Sequence, residues 1–167
     1  MRRTSFWKAL FLSLVITLLI VSAVSAATIY TIPKVSKAPT IDGKLDDEAW
    51  KIAEKAGAYF TDFTLNTGGK PSVNTEAWMV WDDENLYIAF RNYQDMNSLK
   101  ATVTQDSGGS GLSKDDDNEY FFAPMWPSPR PYYHFLTNPL GTKIGKEGTS
   151  PQDAWNFNWK SASGKIK

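Results

Sequence analysis

The chain has 167 residues, 42% hydrophobic and 14% aromatic, with 18 basic side chains matched by 18 acidic ones and no cysteine. The lack of cysteine excludes disulfide staples, thiolate metal sites and a lipid-anchored cysteine. The first 26 residues hold three of the basic side chains and no acidic one, so the remainder carries 15 against 18, a net charge of −3. That balance argues against nucleic acid or an anionic membrane as the main partner.

Residues 1–26 have the layout of a secretory signal. Arg2, Arg3 and Lys8 form a positive start, an apolar run follows, and Val24, Ser25 and Ala26 offer small residues for cleavage after Ala26. The alternative is an uncleaved anchor, because no charge falls between Lys8 and Lys34. Either way the expected location is outside the cytoplasm: secreted, periplasmic or at the surface of a bacterium. An exported chain without cysteine is commoner there than among small secreted animal domains. Residues 27–167 are enough for one domain.

Residues 28–33 alternate and read as a short edge strand ended by Pro33. Ile41-Asp42-Gly43 reads as a turn. Asp46 is the expected N-cap of a short helix, with Asp47 and Glu48 in its first turn, Ala49, Trp50 and Ala53 as its apolar stripe, and an end near Gly57. The period then changes to two. Residues 75–81 form a strand with Ala77, Met79 and Trp81 on one face. Asp82 to Asn85 is a polar turn, and Leu86, Ile88 and Phe90 alternate with Tyr87, Ala89 and Arg91 in the return, the strongest hairpin signal in the chain. Further strands are expected at 101–105, 119–123, 132–138 and 155–161, with a Gly/Ser/Asp loop at 106–117, a proline-rich connection at 124–131 and a turn at Pro139-Leu140-Gly141. Short strands at this spacing with one minor helix predict an all-β fold, an antiparallel β-sandwich of jelly-roll or immunoglobulin-like type. The glycine-rich loop does not open a helix and so is no phosphate-binding signal.

Two segments, Pro39-Thr-Ile-Asp-Gly-Lys-Leu-Asp-Asp-Glu-Ala-Trp50 and Val80-Trp-Asp-Asp-Glu-Asn-Leu-Tyr-Ile-Ala-Phe-Arg91, resemble the opening half of a family 9 carbohydrate-binding module, within the DOMON-like sandwich superfamily. Asp116-Asp117-Asn118-Glu119-Tyr-Phe-Phe-Ala-Pro124 is similar to the acidic strand of that family. Tyr133-His-Phe-Leu-Thr-Asn138 with Gly141-Thr-Lys143 looks like its next hairpin, and Trp155-Asn-Phe-Asn-Trp159 like the strand after it. The resemblance covers residues 38–160. It implies a β-sandwich that binds a polysaccharide or oligosaccharide without catalysis, often with structural calcium, and often joined to a glycan-degrading enzyme. It also implies that Glu119 accepts sugar hydroxyls. The sequence departs from the pattern elsewhere: Ser113 stands where the first sugar-stacking aromatic belongs, Leu136 where an Arg belongs, and Ala123 where an Asp belongs. The segment bearing the second aromatic is not present, so C-terminal strands are expected to be missing.

Sugars pack their C–H faces on flat rings and need charged or amide partners for their hydroxyls. The expected binding residues are Glu119, Trp126, Tyr133, Asn138 and Trp155, drawn from a wider set that includes Tyr132 and Trp159. For Trp50, Trp81 and Trp159 the plainer reading is burial in the core. Asp115, Asp116 and Asp117 are candidate calcium ligands, the alternative being a solvated loop. His134, the sole histidine, reads as structural. Two opposed carboxylates in a cleft would be needed for glycoside hydrolysis, and nothing in the spacing fixes such a pair. The rival function classes are a haem-binding redox module, with Met79, Met96, Met125 or His134 as ligands, and a docking domain ahead of an outer-membrane or enzymatic region.

Overall fold

The computed structural model describes residues 30–60, 69–71, 73–106, 111–125, 127–128, 131–147 and 158–165. The signal-like segment 1–26 lies outside them. Among the described residues no helix is long and apolar enough to cross a membrane. The elements in chain order are helix α1 (Glu48–Lys55), strands β1 (Tyr59–Phe60), β2 (Thr75–Trp81) and β3 (Leu86–Asn92), a 3-10 turn (Leu112–Lys114), and strands β4 (Asn118–Phe122), β5 (Tyr133–Thr137) and β6 (Lys143–Glu147). They make two antiparallel three-stranded sheets, ordered β1-β2-β3 and β4-β5-β6. The described chain is therefore mostly strand with one short helix.

The β2–β3 hairpin forms where its alternation placed it. Asp82 closes the turn: its Oδ1 accepts from the amides of Glu84 at 2.9 Å and Asn85 at 2.7 Å. Its Oδ2 accepts from the Tyr87 hydroxyl at 2.6 Å. An acidic residue five positions before an aromatic one thus ties the turn to the returning strand.

Helix α1 buries the expected stripe of Ala49, Trp50 and Ala53. Its N-cap is Asp47 rather than Asp46, and the Asp47 side chain makes no capping bond. The Asp47 carboxylate instead accepts from the Thr40 amide at 3.0 Å, fastening the 40–47 loop. The helix ends at Lys55, with Ala56 as its C-cap and then Gly57, whose φ of 75° suits a residue without a Cβ. α1 packs on one face of the first sheet, where Trp50 and Trp78 join Val35, Val80, Ala49, Ala53, Ala58 and Ala89 in a buried cluster. Trp81 does not join it. It is 40% exposed, with its indole N–H donating to Ile32 O at 2.9 Å and Lys34 above its ring. Alternation along β2 turns Trp78 and Val80 to the face that the helix covers and Trp81 to the opposite one.

Three expected strands are not strands in their described parts. Residues 30–33 make no ladder. Only a parallel bridge joins Lys34 to Trp81, flanked by Val35 N to Trp81 O at 2.8 Å and Trp81 N to Pro33 O at 3.1 Å. Proline has no N–H to give, so pairing starts past it. Residues 101–105 have no strand partner because carboxylates take their place. The amides of Thr102 and Val103 donate to Asp115, and that of Lys100 to Asp116. Residues 158–161 belong to no strand, and 155–157 lie outside the described residues. Trp159 packs edge-on against Phe135 at 5.3 Å and Tyr120 at 6.2 Å.

The two sheets touch where Phe90 meets Tyr120, 5.6 Å between ring centres, and where Asn92 donates to Asn118 at 3.1 Å. Residues 162–164 run between the Gly43 turn and the Gly141 turn. Gly43 has φ 81°, and a Cβ there would meet the Ser163 carbonyl group and the Gly164 nitrogen, the latter at 2.6 Å. Gly57, at φ 75°, has nothing within 4 Å of such a Cβ. Gly43→Ala is therefore expected to cost about 2 kcal/mol and to free the 158–165 segment, whereas Gly57→Ala costs about 1 kcal/mol of backbone strain alone. Urea titration of both variants, with limited proteolysis of the segment, checks the difference. Equal losses would remove the backbone collision from the account.

Candidate functional site

Alternation along β4 divides its side chains between two faces. Tyr120 and Phe122 point to the side filled by Phe135, with Trp159 on Tyr120 and Phe135. Glu119 and Phe121 point to the other. The register sets Glu119 opposite Leu136 and Phe121 opposite His134, and on β5–β6 it sets Leu136 opposite Ile144. Leu136 and Ile144 are buried beneath Leu112 of the 3-10 turn, with Val103 packed against them. That cover does not reach the other end of the face, where Phe121 is 57% exposed.

At this open end His134 lies flat against Phe121, 4.0 Å between ring centres at 15°. Tyr132 tilts onto Phe121 at 5.9 Å. His134 Nε2 is 3.1 Å from Glu119 Oε2. A carboxylate only accepts, so Nε2 carries the proton that makes this bond. The Glu119 side chain is 39% exposed and that of His134 15%. The result is an accessible ring, an imidazole that fixes it from below, and a partly exposed carboxylate beside them.

Asp115 and Asn138 form a different unit. Asp115 is 8% exposed and accepts from Thr102 N at 2.9 Å, Thr102 Oγ1 at 2.7 Å, Val103 N at 2.8 Å and Asn138 Nδ2 at 3.0 Å. These donors, the Val103 amide first, hold its carboxyl well below the usual range. Asn138 is 2% exposed and uses its whole amide: Nδ2 donates to Val103 O and Asp115, while Oδ1 accepts from Leu140 N and Thr142 N. Asp116 Oδ2 accepts from Lys100 N and from Gln94 Nε2 at 2.9 Å. Asp117 Oδ2 is buried with no hydrogen-bond partner among the described residues. Burial, with the charges of Glu119, Asp115 and Asp116, pushes the Asp117 carboxyl up to about 6. The three aspartates diverge, and among the described residues no group of three or more His, Asp or Glu side chains is placed to hold a metal ion.

A second polar cluster sits on the first sheet. Glu76 accepts from the hydroxyls of Tyr59 and Tyr93 and from Arg91, which lies over the Trp78 ring. The bond to Glu76 raises the Tyr59 hydroxyl to about 12. This cluster joins β1, β2 and the end of β3.

The residues expected to bind sugar are thus not all in one place. Glu119 lies on the open face. Tyr133 lies on the opposite face of its strand, as the register partner of Phe122. Asn138 is interior. Trp126 and Trp155 lie outside the described residues. Among the haem-ligand candidates, Met96 and Met125 are exposed, Met79 is half-buried in β2, and the His134 Nε2 is engaged by Glu119. Sequence reasoning passed over Phe121 and took His134 for a structural residue. The usable signal was the alternate spacing of Glu119 and Phe121, but only the β4–β5 register brings His134 to them. No family model, no curated protein and no solved structure matches this chain.

Proposed function

We propose that this chain is an exported, non-catalytic carbohydrate-binding domain, a family 9-like β-sandwich in which the two sheets form the layers, serving a larger glycan-degrading or cell-surface protein. The observation that carries the reading is the exposed Phe121 ring, backed by His134 and standing beside Glu119. A pyranose would lay a C–H face on Phe121 and direct hydroxyls to the Glu119 carboxylate. Tyr132 flanks the ring. The Asp115–Asn138 unit supports the site from beneath the neighbouring loop and does not touch the sugar.

The site is shallow and orders few groups, so a dissociation constant on the order of 0.1–1 mM is expected. Calorimetry against xylan, cellulose and chitin oligosaccharides measures it. Phe121→Ala should weaken binding about tenfold, the worth of one stacked ring. It should leave thermal stability nearly unchanged, because the ring is 57% exposed. Binding indifferent to Phe121→Ala, or no binding to any of these glycans, would refute the reading. A Soret band in the purified protein would favour the haem-binding alternative.

A further inference from the structure

Resting on the sugar-binding reading, we propose that the Glu119–Phe121 site takes an aminated sugar, a pyranose bearing a protonated amino group, in preference to a neutral one. Two placements point to a cationic ligand. Glu119 Oε2 is bonded to His134, and no hydrogen bond to Oε1 is seen among the described residues. The accessible Phe121 ring offers a π face of the kind that attracts an ammonium group.

Nothing described balances this negative charge by direct contact. Among the residues whose side chains are described, no lysine or arginine pairs with Glu119, and His134 is the basic group in contact with it. On β6, Lys146 is the register partner of His134, one strand farther from Glu119. A neutral hydroxyl gives Glu119 an ordinary hydrogen bond. An ammonium gives it a charge-assisted one, with the ring adding attraction. The pyranose supplies what a bare amine lacks, a flat C–H face for Phe121.

The test compares fully deacetylated and fully N-acetylated chito-oligosaccharides of equal length by calorimetry, in low salt with EDTA present. The deacetylated oligomer should bind about tenfold more tightly. That advantage should shrink at about 0.5 M salt. Glu119→Gln, nearly isosteric and with its fold checked by circular dichroism, should weaken the deacetylated oligomer more than the N-acetylated one and bring the ratio close to one. Equal affinities for the two oligomers in the unaltered protein would overturn the amine preference and leave the sugar-binding reading standing. A lysine oligopeptide of equal charge binding as tightly would also overturn it, by showing a general cation surface. No binding by either oligomer would overturn the amine preference, and the sugar-binding reading falls with it only if xylan and cellulose oligosaccharides also fail to bind.

Discussion

Trp50→Ala is expected to cost about 3–5 kcal/mol, the range for deleting a buried tryptophan. Trp50 is 4% exposed and sits in a cluster whose other members are one tryptophan, two valines and four alanines. The two tryptophans supply most of the side-chain volume. The alanines are attached directly to backbone and cannot swing in to close the space, so the cavity persists. Trp50→Phe separates packing from polarity. The indole N–H has no partner among the described residues, so replacing it forfeits no bond, and a loss of about 1–2 kcal/mol is expected from the smaller ring alone. Urea denaturation of both variants measures the two values. Similar losses for Ala and Phe would mean that Trp50 acts through an interaction other than volume.

Asn138→Ala comes next, at about 3 kcal/mol. It removes four hydrogen bonds of about 1 kcal/mol each and leaves the Leu140 and Thr142 amides and one acceptor position on Asp115 without that partner. Val103 O keeps its bond from Thr142 Oγ1 at 2.7 Å, which limits the damage. Hydrogen exchange should quicken at the amides of Thr102, Val103, Leu140 and Thr142 together, because one side chain ties both segments. Acceleration confined to 140–142 would show that Asp115 holds the 100–103 segment without help.

The pH dependence of stability follows from the same strand end. The folded-state carboxyl of Asp117 is raised to about 6, so the fold takes up a proton more readily than the unfolded chain, and stability rises as pH falls from above 6 toward 4. Asp115 is depressed below its usual 3.8. Its contribution is complete above that value and is lost as pH falls through the folded-state value. Maximum stability is expected near pH 4, and Asp117→Asn should flatten the limb above it. Chemical denaturation at pH 4, 5, 6 and 7 reads this directly, and stability that climbs steadily to pH 7 would contradict the placement of Asp117.

The hairpin and the helix were legible because each depends on neighbours in sequence. Leu86 to Arg91 alternate, Asp82 finds its donors within three residues, and Ala49, Trp50 and Ala53 repeat at helical spacing. The misread segments fail for a common physical reason. Residues 101–105 have strand-like composition, but the amides of Thr102 and Val103 are met by the Asp115 carboxylate, 13 and 12 positions away. Trp81 has the composition of a core residue, but alternation along β2 turns it away from the face that Trp78 and Val80 bury. Asn138 looked like a sugar-facing amide because composition does not reveal burial.

By itself the sequence determined the two-residue period of the strands, the turn at Asp82, the apolar stripe of α1 and the glycine at 43, since local sterics and spacing suffice for these. It also placed Glu119 on a strand with acidic and aromatic neighbours. Only the tertiary structure decided which of those neighbours share its face. The β4–β5 register turns Phe121 and His134 toward Glu119, while Tyr133 faces the other way and Asn138 is drawn inward by Asp115. Side-chain direction in a strand alternates with every residue, so which groups meet is fixed by long-range pairing, a property no local stretch of chain contains.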